Sequence, residues 1–256
     1  MNAEIIAVGT ELLHGDIANT NAQYISKEFA KIGIDVHFHT VVGDNAKRMK
    51  MAFDIALSRA DIVICTGGLG PTQDDITKEI VAQHLELPML MHEESKKHLE
   101  NRFAQRNRIM TQNNLRQAYF PKGAIVLEND NGTANACIIE TNQKIMILLP
   151  GPPREIQPLM EKDVMGYLKK YSNQVVLCSK IQVLNIGEST AETLIMDIIE
   201  SQTNPTIASY AGSSSVVFRV TAKADSQEEA IELINPVVKE LMRRFGDNGS
   251  ILEKEY

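Results

Sequence analysis

The chain has 256 residues, 43% of them hydrophobic and 23% charged, with a formal net charge of −7 from 26 basic and 33 acidic side chains. That length suits one large domain or two small ones, and the composition is that of an ordinary soluble globular protein. The acidic balance argues against a broad nucleic-acid surface, and the longest apolar runs, such as residues 145–149, are too short to span a bilayer.

The N-terminus opens straight into a predicted strand, Ile5 to Val8, without the basic region or cleavage pattern of a signal peptide. Three widely spaced cysteines, Cys65, Cys137 and Cys178, sit in apolar runs and read as small buried hydrophobes, so a cytoplasmic location is expected. Asn19 to Ile32 has helical periodicity, with Asn19 or Thr20 as its cap and Gly33 as its stop. A strand over Asp35 to Val42, a helix over Lys47 to Arg59 and a strand over Asp61 to Cys65 follow. Helices over Ile76 to Leu87 and Glu93 to Arg106 come next. This alternation predicts an α/β fold with a mostly parallel sheet. Ala136 to Glu140 and Lys144 to Leu149 then read as a hairpin turning at 141–143, and Pro150-Gly-Pro-Pro153 opens a helix to about Tyr171.

Near residue 172 the order changes. Strands at Val175 to Leu184, Thr206 to Tyr210 and Ser214 to Ala222, with helices at Glu188 to Ser201 and Ser226 to Phe245, predict a small α+β unit. The expected division is residues 1–172, residues 173–246 and a frayed polar tail over 247–256.

Candidate chemistry concentrates in Thr66 to Thr77, TGGLGPTQDDIT, between a predicted strand and a predicted helix. Open α/β sheets bind ligands at such strand ends. Gly67, Gly68 and Gly70 allow main-chain N–H groups to approach an anion, and the helix N-terminus adds its positive end. Asp74 and Asp75 supply hard oxygens suited to Mg²⁺ or Mn²⁺ beside a phosphate. The bland alternative makes these aspartates helix caps and the glycines a turn.

Two other predicted strand ends offer a carboxylate. Glu11 lies in the loop after the first strand and Asp44 ends the second, so Glu11, Asp44 and Asp75 are expected to converge as metal ligands. Asp44 alone would read as a cap for the helix at Lys47. Asn21 is a candidate for a ligand hydroxyl, Gly151 for a second anion contact and Thr72 for substrate binding in the glycine loop. Among Lys96, Lys97, Arg102, Arg106, Arg108 and Arg116, Arg108 is the chosen phosphate ligand because its surroundings look like a loop. Asp74 and Glu155 are the candidate general bases. His37 and His39 share one strand face and read as structural or exposed.

In order along the chain stand GTELLHGDIANTN, VVGDN, TGGLGPTQDDIT, NRIMTQNN with a following QA, NGTAN, LPGPPRE, IGES and ASYAGSSSVVFRVTAKA. Together, from residue 9 to about 224, these segments resemble the CinA family of competence- and damage-inducible proteins. Two positions depart from its pattern: Gly132-Thr-Ala-Asn-Ala136 where the family often reads GTAPG, and Met110-Thr111 where it often has methionine-proline.

The resemblance implies a MogA/MoeA-like molybdopterin-binding fold followed by a KH-like α+β domain. It also implies metal-dependent hydrolysis of the ADP-ribose diphosphate to AMP and ribose 5-phosphate, with Mg, Mn or Co as cofactor. In that reading the Gly67–Gly70 main chain and Arg108 hold the diphosphate, and Asp44 and Asp75, with Glu11, hold the metal. The alternatives are a non-catalytic pterin- or nucleotide-binding module, in competence or molybdenum-cofactor pathways, and adenylyl transfer to a pterin. The C-terminal deamidase domain that many members carry is expected to be absent here. Residues 173–256 hold 7 basic against 12 acidic side chains, so the KH-like unit reads as a packing or dimerisation module. The expected partners are a nucleotide substrate and a second copy of the chain, with no membrane and no nucleic acid.

Overall fold

The computed structural model describes residues 1–141, 144–172, 174–212 and 215–255. Two compact units are present: residues 1–29 with 34–171, and residues 30–33 with those from 172 onward.

The first unit begins with β1 (Asn2–Val8), a short α1 (Thr10–His14), α2 (Thr20–Lys31) and β2 (Asp35–Val42). It continues through α3 (Ala46–Arg59), β3 (Ile62–Thr66), α4 (Thr77–His84), β4 (Met89–Met91) and α5 (Glu93–Gln105). A 3-10 helix over Gln112–Ala118 leads to β5 (Tyr119–Pro121), β6 (Ile125–Leu127), β7 (Ala136–Thr141) and β8 (Lys144–Leu149). The six-stranded sheet has the order β2-β1-β3-β8-β7-β6. β2, β1, β3 and β8 run parallel, and β7 is antiparallel to both neighbours. The mostly parallel sheet is therefore as predicted. Thr141 pairs with Lys144 across the predicted hairpin, whose turn residues 142 and 143 lie outside the described residues.

Helix-covered parallel strands are buried on both faces, which is why they read as continuous apolar runs. Ile5, Ile6, Ile62, Ile64, Ile147 and Leu148 are all fully buried. Met49 and Phe53 of α3 pack on one face beside Cys65 and Cys137. Both thiols are free and buried, and burial pushes Cys137 up to about 12. Cys65 and Cys137 each pair with Leu148, from opposite sides of β8, so a whole strand separates them. Glu4, fully buried in β1, is held by Arg59 at 2.8 and 2.9 Å and by the Thr40 hydroxyl at 2.6 Å.

The helix predicted from Pro153 to Tyr171 is instead segmented into α6 (Pro153–Leu159), a π-helical turn over Met160–Val164, α7 (Met165–Leu168) and a 3-10 turn over Lys169–Tyr171. Pro158 lies inside α6, just before the ladder widens, and a proline removes one donor from that ladder.

In the second unit, β9 (Val175–Leu184) is followed by α8 (Glu188–Thr193) and α9 (Met196–Ser201), where one helix is predicted. The break falls at Ile195, whose φ of −126° leaves the helical region and whose side chain is fully buried. Core burial of one isoleucine overrides local helical preference there. β10 (Thr206–Ala211), β11 (Ser215–Ala224), α10 (Gln227–Phe245) and β12 (Gly249–Glu255) complete a wholly antiparallel sheet of order β10-β11-β9-β12. Alternate residues Val216, Phe218, Val220 and Ala222 of β11 face Ile234, Val238 and Leu241 of α10 in one core, and Phe218 stacks on Phe245 at 5.1 Å.

The tail predicted to fray is β12, paired with β9. Ile251 and Leu252 are both exposed, so the strand presents no buried-face periodicity; main-chain pairing to the edge of β9 holds it. Gly246, Asp247, Asn248 and Gly249 have the Gly-x-x-Gly spacing of a nucleic-acid clamp, which corrects the reading from sequence that this unit has no such loop. This turn joins α10 to β12, and its middle residues include an acid and no base.

Candidate functional site

Parallel strands bring the ends of β1, β2, β3 and β8 to one edge of the sheet, so the loops after Val8, Val42, Thr66 and Leu149 gather there. They enclose a cleft of about 350 Å³. Glu11, Asp44, Gly67, Gly68, Gly70, Asp74, Asp75, Gly151 and Glu155 all line it, so nine of the predicted site residues meet in one place.

The β3 loop is built on glycine by necessity. Gly67 has φ +98°, and a Cβ there would lie 2.2 Å from the Val8 carbonyl oxygen. Gly68 has φ +67°, and its Cβ would lie 2.2 Å from the Thr77 hydroxyl. No L side chain fits either position. The Gly67 N–H is committed to the Leu149 carbonyl at 3.0 Å. Gly68, Leu69 and Gly70 line the cleft beside it.

The two aspartates of this loop are not helix caps. Ile76 stands at the cap position of α4 with no side-chain bond. Asp75 Oδ2 accepts from the Thr72 N–H at 3.0 Å and lies 2.5 Å from the Thr72 hydroxyl, which is also within reach of Asp74 Oδ1. That hydroxyl holds the Asp74 carboxyl below the usual carboxylate range. Thr72 is thus a support for the carboxylates and lies outside the cleft lining. Asp44 is not a cap either: Asn45 caps α3 by accepting from the Arg48 N–H at 3.1 Å. Asp44 Oδ2 accepts from the Thr10 N–H and hydroxyl at 2.9 and 2.8 Å, which fixes it at the mouth of the β2 loop.

Two expectations need correction. Arg108 is exposed in the turn after α5, its N–H donating to the Phe103 carbonyl, and it takes no part in the cleft. Glu11, Asp44 and Asp75 line one cleft, yet among the described residues no three His, Cys, Asp or Glu side chains form a ready metal cage. The donor set still suits a hard cation. Mg²⁺ takes one or two carboxylates and completes its octahedron from water and substrate phosphate, so spaced carboxylates serve it better than a cage.

Asn21 lines an adjoining cavity of about 290 Å³, and its Nδ2 donates to the Gly151 carbonyl at 2.7 Å. Asn19, not Thr20, caps α2 by accepting from the Ala22 N–H at 3.1 Å. Glu155 is buried, and its Oε2 accepts from Asn129 at 2.8 Å.

Residues 112–118 contribute what the sequence does not announce. Arg116 reaches the main-chain oxygens of Thr72 and Asp75 and the Glu79 carboxylate. Lys78, 3% exposed, donates to the Arg116 and Gln117 carbonyls at 3.3 and 3.0 Å, with Nζ 4.2 Å from the centre of the Phe120 ring. Burial holds this ammonium down at about 8. Gln117 and Thr133 line the cleft and bond one another at 3.2 Å. The departing residues Asn135, Ala136, Met110 and Thr111 are not in the cleft lining, although Thr133 and Ala134 of the first segment are. Asn135 is buried, accepting from the Asn129 N–H at 3.0 Å and donating to Ser95 at 2.9 Å. Thr111 caps the 3-10 helix together with Asn114.

The comparisons with known proteins agree with this architecture. Residues 4–170 match the "Probable molybdopterin binding domain" family, and residues 179–248 match the "Damage-inducible protein CinA KH domain". A relative from Clostridium beijerinckii, named for competence-damage induction, is 50% identical over 97% of this chain. A CinA-like protein from Dictyoglomus turgidum is 51% identical over 96% of it. The chain spans about 60% of the length of either relative. The crystal structure of CinA from Thermoplasma acidophilum is 33% identical, with a TM-score of 0.58 over 66% of this chain and 96% of that one.

Proposed function

The chain belongs to the CinA family, and on that premise we propose that its first unit is a metal-dependent pyrophosphatase that cleaves ADP-ribose to AMP and ribose 5-phosphate. The observation that carries this reading is the charge of the cleft. Five carboxylates line it, those of Glu11, Asp44, Asp74, Asp75 and Glu155, and among the described residues no lysine or arginine does. A diphosphate entering such a cleft needs a cation to offset the repulsion.

Asp44 and Asp75, with Glu11, would hold Mg²⁺, Mn²⁺ or Co²⁺, which supplies positive charge against the diphosphate oxygens and Lewis acidity at phosphorus. The main chain at Gly68 to Gly70 positions the phosphates, and positioning with electrostatics does most of the work in chemistry of this kind. A water oxygen adds to one phosphorus, the bridging P–O bond breaks, and each product keeps one phosphate. Asp74 Oδ1 is engaged by the Thr72 hydroxyl. Glu155, its Oε2 anchored by Asn129, is the better candidate to take the water's proton at Oε1.

The match to a molybdopterin-binding family favours a second reading, a pterin- or nucleotide-binding module without hydrolysis. Incubation with ADP-ribose and each metal, followed by chromatography of AMP, separates the two. Metal-dependent AMP release that Asp75→Asn reduces at least about 100-fold supports the pyrophosphatase. Absence of release from folded protein, with saturable pterin binding, supports the module.

A further inference from the structure

We propose that Asn135 is a positioning residue for the reaction: it fixes the turn between β6 and β7, and through Asn129 of that turn it fixes the Glu155 carboxylate. This rests on the proposed function, in which Glu155 takes the proton of the attacking water. Glu155 lines the cleft and Asn135 does not, so the influence of Asn135 passes through its neighbours.

The hydrogen bonds between them have a fixed direction. The Asn129 N–H can only donate, so Asn135 must turn Oδ1 toward it, at 3.0 Å, and keep Nδ2 for another partner. That Nδ2 donates to the Ser95 hydroxyl at 2.9 Å. His92 Nδ1, which caps α5, accepts from the Ser95 N–H at 3.2 Å, so it presents a lone pair. The Ser95 hydroxyl therefore gives its own hydrogen to that nitrogen, at 2.9 Å. The turn is tied in this way to the N-terminal end of α5.

Every polar group of the Asn129 side chain is committed. Nδ2 donates to the Ala134 carbonyl at 2.9 Å and to Glu155 Oε2 at 2.8 Å, and Oδ1 accepts from the Asn131 N–H at 3.0 Å. Ser95, Asn129 and Asn135 are at most 4% exposed. Among the described residues, none of the three has a buried side-chain nitrogen or oxygen without a partner. A buried network complete to this degree is rigid, because turning any member strands a polar group away from water. Gly132 of the same turn also packs on Glu155: a Cβ there would lie 2.0 Å from Oε2. The turn thus holds Oε2, and Oε1 is the oxygen left for the water.

Asn135→Ala removes the acceptor and the donor together. Per folded molecule it should lower kcat for AMP release from ADP-ribose at least about tenfold and leave KM within about twofold, since it misplaces Glu155 and touches no substrate contact. Ser95→Ala, which cuts the bond behind Asn135, takes its place if that variant fails to fold, with a kcat lower by about threefold or more. An NMR spectrum of the side-chain amides gives a readout that needs no turnover. The Asn129 amide signal, identified by its absence in Asn129→Asp, should move in Glu155→Gln and again in the folded Asn135→Ala or Ser95→Ala protein. A signal that stays in place in that protein, an unchanged kcat, or a loss confined to KM overturns the proposal. Absence of AMP from the wild type defeats the pyrophosphatase reading instead, and the Asn129 signal still decides whether Asn135 sets the contact to Glu155.

Discussion

Arg116 holds Asp75 from behind: its Nη2 donates to the Asp75 main-chain oxygen at 3.1 Å, while Nη1 donates to the Thr72 oxygen at 2.8 Å. The same guanidinium pairs with Glu79 at 2.9 Å. One side chain from the 3-10 helix thus sets the path of the loop that presents the aspartates to the cleft. Arg116→Ala should lower kcat/KM for ADP-ribose by about 10- to 100-fold, since small misplacements of reacting groups are costly. Its melting temperature should fall by only a few degrees, because a third of the side chain is exposed. Arg116→Lys, without the planar fork, should restore little. Steady-state kinetics with a thermal melt on each variant make the check.

Gly67 and Gly70 should respond differently to alanine. Gly67→Ala places a methyl against the Val8 main chain at a φ of +98°, so it should destabilise by more than about 2 kcal/mol. At Gly70 a Cβ would meet the Asp75 carboxylate at 2.3 Å, the movable end of a side chain. Gly70→Ala should therefore melt close to wild type and yet lose at least about tenfold in turnover as that carboxylate is displaced. Denaturant unfolding and AMP release, measured on both variants, separate the two effects.

Lys78 makes stability depend on alkaline pH. Burial holds its ammonium near 8, against 10.5 for the ordinary group. Below 8 both the folded and unfolded chains carry the proton, and the cost of burying the charge is fully present. Between 8 and 10.5 the unfolded chain binds more protons, so this group's contribution to stability rises with pH. Lys78→Met lacks the effect. The unfolding free energy of wild type relative to Lys78→Met should rise between about pH 8 and 10.5, by roughly 3 kcal/mol at most. Urea titrations at three pH values across that window would show a flat difference if Lys78 has an ordinary pKa.

Deleting residues 249–256 should weaken the second unit, although the segment looks dispensable in sequence. β12 covers one edge of β9, and its loss leaves that edge unpaired. The expected result is a melting temperature lower by about 5 °C or more, with increased aggregation. An unchanged melt would mean that the β12 pairing contributes nothing measurable.

The legible part of this protein is the part whose signals are local. Apolar runs at Ile5 to Val8 and Ile62 to Cys65 mark doubly buried strands, and alternation through Val216, Phe218 and Val220 marks a one-sided sheet. The glycine loop is legible because its backbone tolerates nothing else at Gly67 and Gly68. Ile195 and β12 are not, since a buried position in a helix break and an edge pairing leave no periodic trace. Arg108 and Arg116 show the same limit within the site. Both are arginines in a loop-like stretch, and only the turn of the chain after α5 sends one into solvent and the other to the back of Asp75.

The alternation of β1 to β3 with their helices, the family pattern and the glycine-aspartate loop proposed to hold phosphate and metal were thus legible in the sequence itself, because each depends on short-range chemistry along the chain. Which carboxylates share a cleft, that among the described residues no lysine or arginine lines it, and that Arg116 and Lys78 brace it were decided only by the tertiary structure. Those facts depend on distances between segments tens of residues apart, and residue type alone does not set them.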